Sequence, residues 1–152
     1  IIMQKIEKNL IESTQSISNI FKEFSEAFLH LPCYLSLAEN PDKKIKVFIP
    51  VIDGKQRIDA EELSESQRFF IDYSFRMSIL AYFYNAASFY ICETPDSSLD
   101  ISYEENAANT IIKYTEKPNS LIITSNLNNS VFIKHLLTTV LFYLYFFFTF
   151  II

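Results

Sequence analysis

"ELSESQR", residues 62–68, opens the long apolar run "FFIDYSFRMSILAYFYNAASFYI", residues 69–91, and the reading of that junction decides the fold. Ser64 is a good helix N-cap, and Gln67 lies three positions on. Ser64-Glu65-Ser66-Gln67 therefore has the form of a capping box, in which two side chains satisfy each other's backbone N–H groups. The helix that starts there is expected to run to about Asn85. It is apolar on nearly every side, which implies burial within a layered domain. A helix tip also offers unpaired N–H groups and about half a positive charge, so this stretch can hold a phosphate as readily as it caps itself.

Upstream, "KIKVFIPVIDGKQRI", residues 44–58, reads as two short strands joined by a turn at Asp53-Gly54, a pair suited to positive φ. "LPCYLSLAENPD", residues 31–42, reads as a break at Pro32 followed by a polar loop around Pro41. From Ile6 to Leu31 apolar residues recur every three or four positions, at Ile6, Leu10, Ile17, Ile20, Phe24 and Leu31. That pattern fits either the end of a coiled-coil arm or an amphipathic helix lying on its own domain.

Downstream, "SFYIC", residues 88–92, is a strand-forming run. Ser102 and Glu105 form a second candidate capping box, whose helix carries Ala108, Ile111, Ile112 and Thr115 before Pro118 stops it. "LIIT", residues 121–124, is a second buried strand. The order helix, strand, helix, strand predicts an α/β layer with parallel strands. Such sheets bind ligands beyond the carboxyl ends of their strands, here the polar clusters Glu93–Asp100 and Ser125–Asn129.

Composition narrows the function. At 152 residues and 49% hydrophobic, with 15 Phe and 9 Tyr, the chain makes one folded domain with a real core. A net charge of −5 argues against a broad nucleic-acid surface. Lys43, Lys44, Lys46, Lys55 and Arg57 read as a solvated rim, so any DNA contact is local or made through another part. Cys33 and Cys92 lack metal-ligand spacing and read as buried thiols in a reducing compartment, while His30 and His135 are isolated. Gly54 is the single glycine, where average usage near 7% would give roughly eleven, so a glycine-rich phosphate loop is absent from this chain.

Three motifs in order carry a resemblance. "LSESQ", residues 63–67, resembles the LSGGQ or LSGGE signature of ABC-type ATPases. "SFYICETPDSSLD", residues 88–100, resembles a Walker B strand running into a D-loop, and "LIITSN", residues 121–126, the last strand with its switch residue. Among such ATPases the chain looks most like the SMC/RecF/RecN class, and their bacterial AAA-family relatives with TPEGSLD-like loops. In that class a coiled coil separates a Walker A segment from a C-terminal segment with signature and Walker B. This chain is similar to the latter over about Ile6 to His135.

The resemblance implies a partial P-loop NTPase head. It has a helix from a coiled-coil arm (1–31), a head lobe (32–135) and a hydrophobic tail (136–152). It implies ATP and Mg²⁺ as cofactors, with a Walker A segment, a second head, DNA through the complex and a possible nuclease subunit as partners. Ser64, Ser66 and Gln67 would meet the γ-phosphate on the opposing head, Asp100 would cross the dimer interface, and Ser125 or Asn126 would take the switch position.

Both signature glycines are replaced, by Glu65 and Ser66, and Thr94 stands at the usual catalytic glutamate position, where it cannot act as a base. The resemblance implies that Glu93 would take the Walker B position that holds Mg²⁺ through water, and that Asp96, matching the acid after the proline in the relatives' loop, would orient the attacking water. Without Walker A the chain is expected not to hydrolyse ATP alone. In the intact protein the implied role is ATP-driven head dimerisation for DNA repair or chromosome maintenance, in the cytoplasm.

Leu136–Ile152, "LLTTVLFYLYFFFTFII", holds 17 residues with no charge and seven aromatics, at the lower limit for a membrane span. A closing buried element or a sequence altered at its end fits the resembled heads better than an anchor. The rival function is a non-catalytic coiled-coil or membrane-tethered interaction domain whose degenerate ATP motifs only retain the fold.

Overall fold

The first element is a helix, α1, over Ile2–Leu29, and its residues divide by where they sit along it. Ile6, Leu10 and Ile11 near its start are exposed, whereas Ile17, Phe21 and Phe28 are buried. The helix therefore packs on the body from about Ser13 onward, where Tyr82 Oη donates to Ser13 Oγ at 2.7 Å. His30 at φ 53° ends it in the left-handed region, its N–H donating to Glu26 O at 2.9 Å, and Pro32 follows. The structure, a computed structural model, describes residues 2–40, 45–84, 88–93, 101–115, 119–124 and 131–138.

The segment expected to be a polar loop is instead a strand, β1, over Cys33–Asn40. It pairs antiparallel with β2, Ile45–Ile52, in the register Cys33↔Ile52 to Asn40↔Ile45. The expected hairpin forms: Asp53 (φ 50°) and Gly54 (φ 75°) turn β2 into β3, Lys55–Gln56, with the two positive φ values that such a tight turn needs.

Side chains of α1 hold the outer edge of β1. Ser25 Oγ donates to Cys33 O (3.2 Å), Ser18 Oγ donates to Leu35 O (3.0 Å), and Cys33 N donates to a Glu26 carboxylate oxygen (3.4 Å). These bonds fix the parity of the sheet. In β1 the odd-numbered backbone groups face α1, so in β2 those of Ile52, Pro50, Phe48 and Lys46 face β3.

A 3₁₀ turn over Ala60–Glu62 leads into the second helix, α2, over Glu65–Phe83, two residues short of the expected end. It buries Ser66, Phe70, Tyr73, Ser74, Met77 and Ser78, one face at helical spacing. All-round burial is not found. Asp72 and Arg76 stay exposed on the other side as an i,i+4 pair at 2.8 Å, so α2 lies at the surface of the lobe.

A strand, β4 (Ser88–Glu93), a helix, α3 (Ile101–Thr115), and a strand, β5 (Asn119–Thr124), form one βαβ unit. β4 and β5 pair in parallel. The expected parallel layer is thus one pair of strands, and the larger sheet, of three strands, is antiparallel. Ser102, expected at the start of α3, lies inside its first turn, which is already under way at Ile101. A last helix, α4, covers 131–138, so the start of the expected tail is helical.

Aromatic side chains join these parts. Phe28 stacks on Phe70 with centroids 5.0 Å apart, Phe70 meets Tyr103 edge-on at 5.5 Å, and Phe24 meets Tyr114 at 6.0 Å, so α1, α2 and α3 share one core. Each such pair contributes about 0.5–1.5 kcal/mol beyond the area it buries.

Candidate functional site

The tip of α2 is built as the sequence predicts. Ser64 Oγ accepts from Gln67 N (3.2 Å), and Gln67 Oε1 accepts from Ser64 N (3.1 Å), closing the capping box. Just before it, a Glu62 carboxylate oxygen accepts from Ile58 N (3.1 Å), and Leu63 packs against the core. These local bonds present Ser64 in water at the end of the helix dipole. Its hydroxyl accepts within the box and keeps its proton to donate to an anion. Gln67 is half-buried, whereas Ser66 is 6% exposed and turned into the body.

Asp59, Glu61, Glu62 and Glu65 surround this tip and are exposed. Arg68, one turn into α2, is also exposed, and its guanidinium has no ion-pair partner among the described residues.

The second candidate cluster lies at the carboxyl edge of the βαβ unit. Glu93 ends β4 directly opposite Thr124, the last residue of β5, so the chain leaves both strands at the same edge. This brings the expected metal-binding position beside the start of the expected switch segment. Thr94, Asp96, Asp100, Ser125 and Asn126 lie outside the described residues. Among the described residues no group of three or more His, Cys, Asp or Glu side chains could hold a metal.

Sequence reasoning missed Glu104. Buried in the first turn of α3, its carboxylate accepts from Phe132 N at 2.7 Å, tying the N-terminus of α4 to the βαβ unit. His135 Nε2 lies 2.8 Å from Asn109 Oδ1 and makes a second link between the same helices. The partners are 28 and 26 residues apart, so no local pattern marks them.

This mixed arrangement of helices and strands matches part of the fold of SMC head domains. The chain is similar to an SMC head bound to the C-winged-helix domain of ScpA, with TM-score 0.62 and 20% identity, over 86% of this chain and 40% of that one. An SMC head from Pyrococcus furiosus with an extended coiled coil, bound to the C-terminal domain of ScpA, gives TM-score 0.62 and 22% identity over 86% and 33%. The SMC head domain from Thermotoga maritima gives 0.55 and 14% over 89% and 44%. The chain thus spans 33–44% of the length of these three solved chains. By sequence, no protein-family model and no curated protein matches it. No helix among the described residues is long and apolar enough to cross a membrane.

Proposed function

We propose that the chain is the C-terminal lobe of an SMC-type or RecN-type ATPase head, which works on ATP only with a Walker A segment and a second head. The exposed face of the β4–β5 pair carries this reading. Phe89, Ile91 and Ile122 are 65%, 59% and 54% exposed, and Ile91 lies directly across from Ile122. Parallel strands are stable when both faces are covered, and here Ile123 packs against the core while the other face is bare. In this reading the Walker A segment belongs to a further lobe that extends and covers this pair.

Within that assembly Ser64 and Gln67 present the α2 tip to the γ-phosphate on the opposing head, as Ser66 packs beneath them. Glu93 holds Mg²⁺ at the carboxyl edge, Asp96 orients water, Asp100 crosses the interface, and Ser125 or Asn126 senses the γ-phosphate. A similar chain belongs to work on ATP-driven dimerisation and DNA-stimulated activation of SMC ATPases, at TM-score 0.62 and 20% identity over 84% of this chain and 76% of that one. In this reading the head cycle serves DNA repair or chromosome maintenance, as the resemblance of the three motifs implies.

The test is co-expression with the Walker A segment, followed by light scattering and phosphate release with Mg-ATP. Dimerisation dependent on Mg-ATP, lost in Ser64→Arg, with hydrolysis slowed in Asp96→Ala, is the expected result. A complex that assembles yet responds to nucleotide in neither measurement would overturn the reading.

A further inference from the structure

Two interactions fasten α4 to α3, and both helices start at one edge of the parallel pair. β4 and β5 run in the same direction, so α3 returns against them and starts at their carboxyl edge. Glu104 lies in its first turn, 8% exposed, and its carboxylate accepts at 2.7 Å from the N–H of Phe132, the second residue of α4. His135 Nε2 meets Asn109 Oδ1 at 2.8 Å. From 104 to 109 on one helix and from 132 to 135 on the other, the two ties step forward together. α4 therefore runs alongside α3 in the same sense, and both start at the edge where Glu93 and Thr124 end their strands. An isolated helix needs about 12–15 residues to persist, and α4, over 131–138, is shorter than that. What holds it is this pair of bonds and the burial of Phe132 and Ile133 in the common core.

We propose that Glu104 is a positioning residue that couples the chain entering α3, where Asp100 meets the second head in the proposed reading, to the chain entering α4, where Ser125 or Asn126 senses the γ-phosphate. This coupling rests on that reading, yet none of the three motifs contains Glu104. Asp100 immediately precedes α3, and Asn126 stands five residues before Val131, the first of α4. The Glu104 carboxylate lies at the positive ends of both helix dipoles and attracts both at once. Its bond is buried and charge-assisted, which is the strong kind. Moving either helix start without the other would break it and leave the N–H of Phe132, a residue with no exposure, short of its acceptor. Contact made at the head interface is thereby passed to the switch position.

The first measurement is hydrogen exchange of the full chain. Glu104→Ala should speed exchange across α4 and the start of α3 together, by about tenfold, and leave α2 unchanged. Asn109→Ala, at an exposed position, should do the same more weakly, and it carries both measurements should Glu104→Ala not fold. The second is dimerisation of the chain co-expressed with the Walker A segment, in Mg-ATP and in Mg-ADP. The wild type should dimerise at least about tenfold more tightly with ATP. Glu104→Ala should lose that preference while still binding ATP, and Glu104→Gln, whose Oε1 can accept the same bond, should regain most of it. Loosening of α4 with the start of α3 unmoved, or variants that keep the full preference for ATP, would overturn the coupling alone. A wild type indifferent to nucleotide would sink the head reading and the coupling with it.

Discussion

Cys33 sits where the last turn of α1 meets β1, and its thiol is buried. Burial pushes its pKa up, an effect that the Ser25 hydroxyl opposes and the Glu26 carboxylate adds to. The neutral thiol is thus favoured in the folded state, and the sign follows. A folded pKa above the unfolded value gives stability that is fully present below the unfolded pKa and lost as pH rises towards the folded one. The stability of the native chain should therefore fall faster above about pH 8.5 than that of Cys33→Ala. Urea midpoints for both at pH 7 and pH 10 measure the difference; parallel declines would refute it. At Ser64 the expectation is simpler. Ser64→Ala removes one half of the capping box and should lower stability by about 1 kcal/mol, read as a shift in the denaturation midpoint at unchanged slope. Both residues were legible in the sequence, the first as a buried thiol and the second as an N-cap, because each depends on chemistry within a few positions.

Elements divide by whether their cause is local. The β2–β3 hairpin was legible because Asp53-Gly54 supplies two positive φ values, and nothing lies within 4 Å of a Cβ placed on Gly54. Gly54→Ala should consequently cost only backbone strain, about 1–2 kcal/mol, checked by thermal melts. β1 was not legible. Its polar positions and flanking prolines resemble a loop, and what makes it a strand is α1, whose Ser18, Ser25 and Glu26 satisfy the outer groups of Cys33 and Leu35 from as far as 17 residues away. Ser25 is wholly buried, so Ser25→Ala leaves the Cys33 carbonyl short of a partner and should cost about 1–3 kcal/mol. Hydrogen exchange would show the loss concentrated at β1 and the end of α1; a uniform loss would mean that the bond does not hold the edge. α2 shows the converse error. Its composition suggested burial all round, but Asp72 and Arg76, four residues apart, mark a solvent stripe that a stricter reading of the helical period exposes.

At the scale of the molecule, one core holds α1, α2 and α3 together, and the β4–β5 pair lies beside it with Phe89, Ile91 and Ile122 exposed. The order of motifs made the βαβ unit legible, but not the three-stranded antiparallel sheet beside it. The site's two halves were less legible, because in the proposed reading the tip of α2 and the carboxyl edge of β4–β5 meet a nucleotide only together with a Walker A segment and a second head. The bare face gives the last prediction. Phe89, Ile91 and Ile122 form a contiguous apolar surface on an unextended parallel pair, and such patches drive association when nothing covers them. The chain expressed alone should self-associate at micromolar concentration. Phe89→Lys with Ile122→Lys should make it more soluble without lowering its melting temperature, because both side chains already face water. The same double substitution should prevent capture of the Walker A segment. If solubility rises and capture persists, the bare face is an ordinary exposed surface, and the missing lobe joins elsewhere.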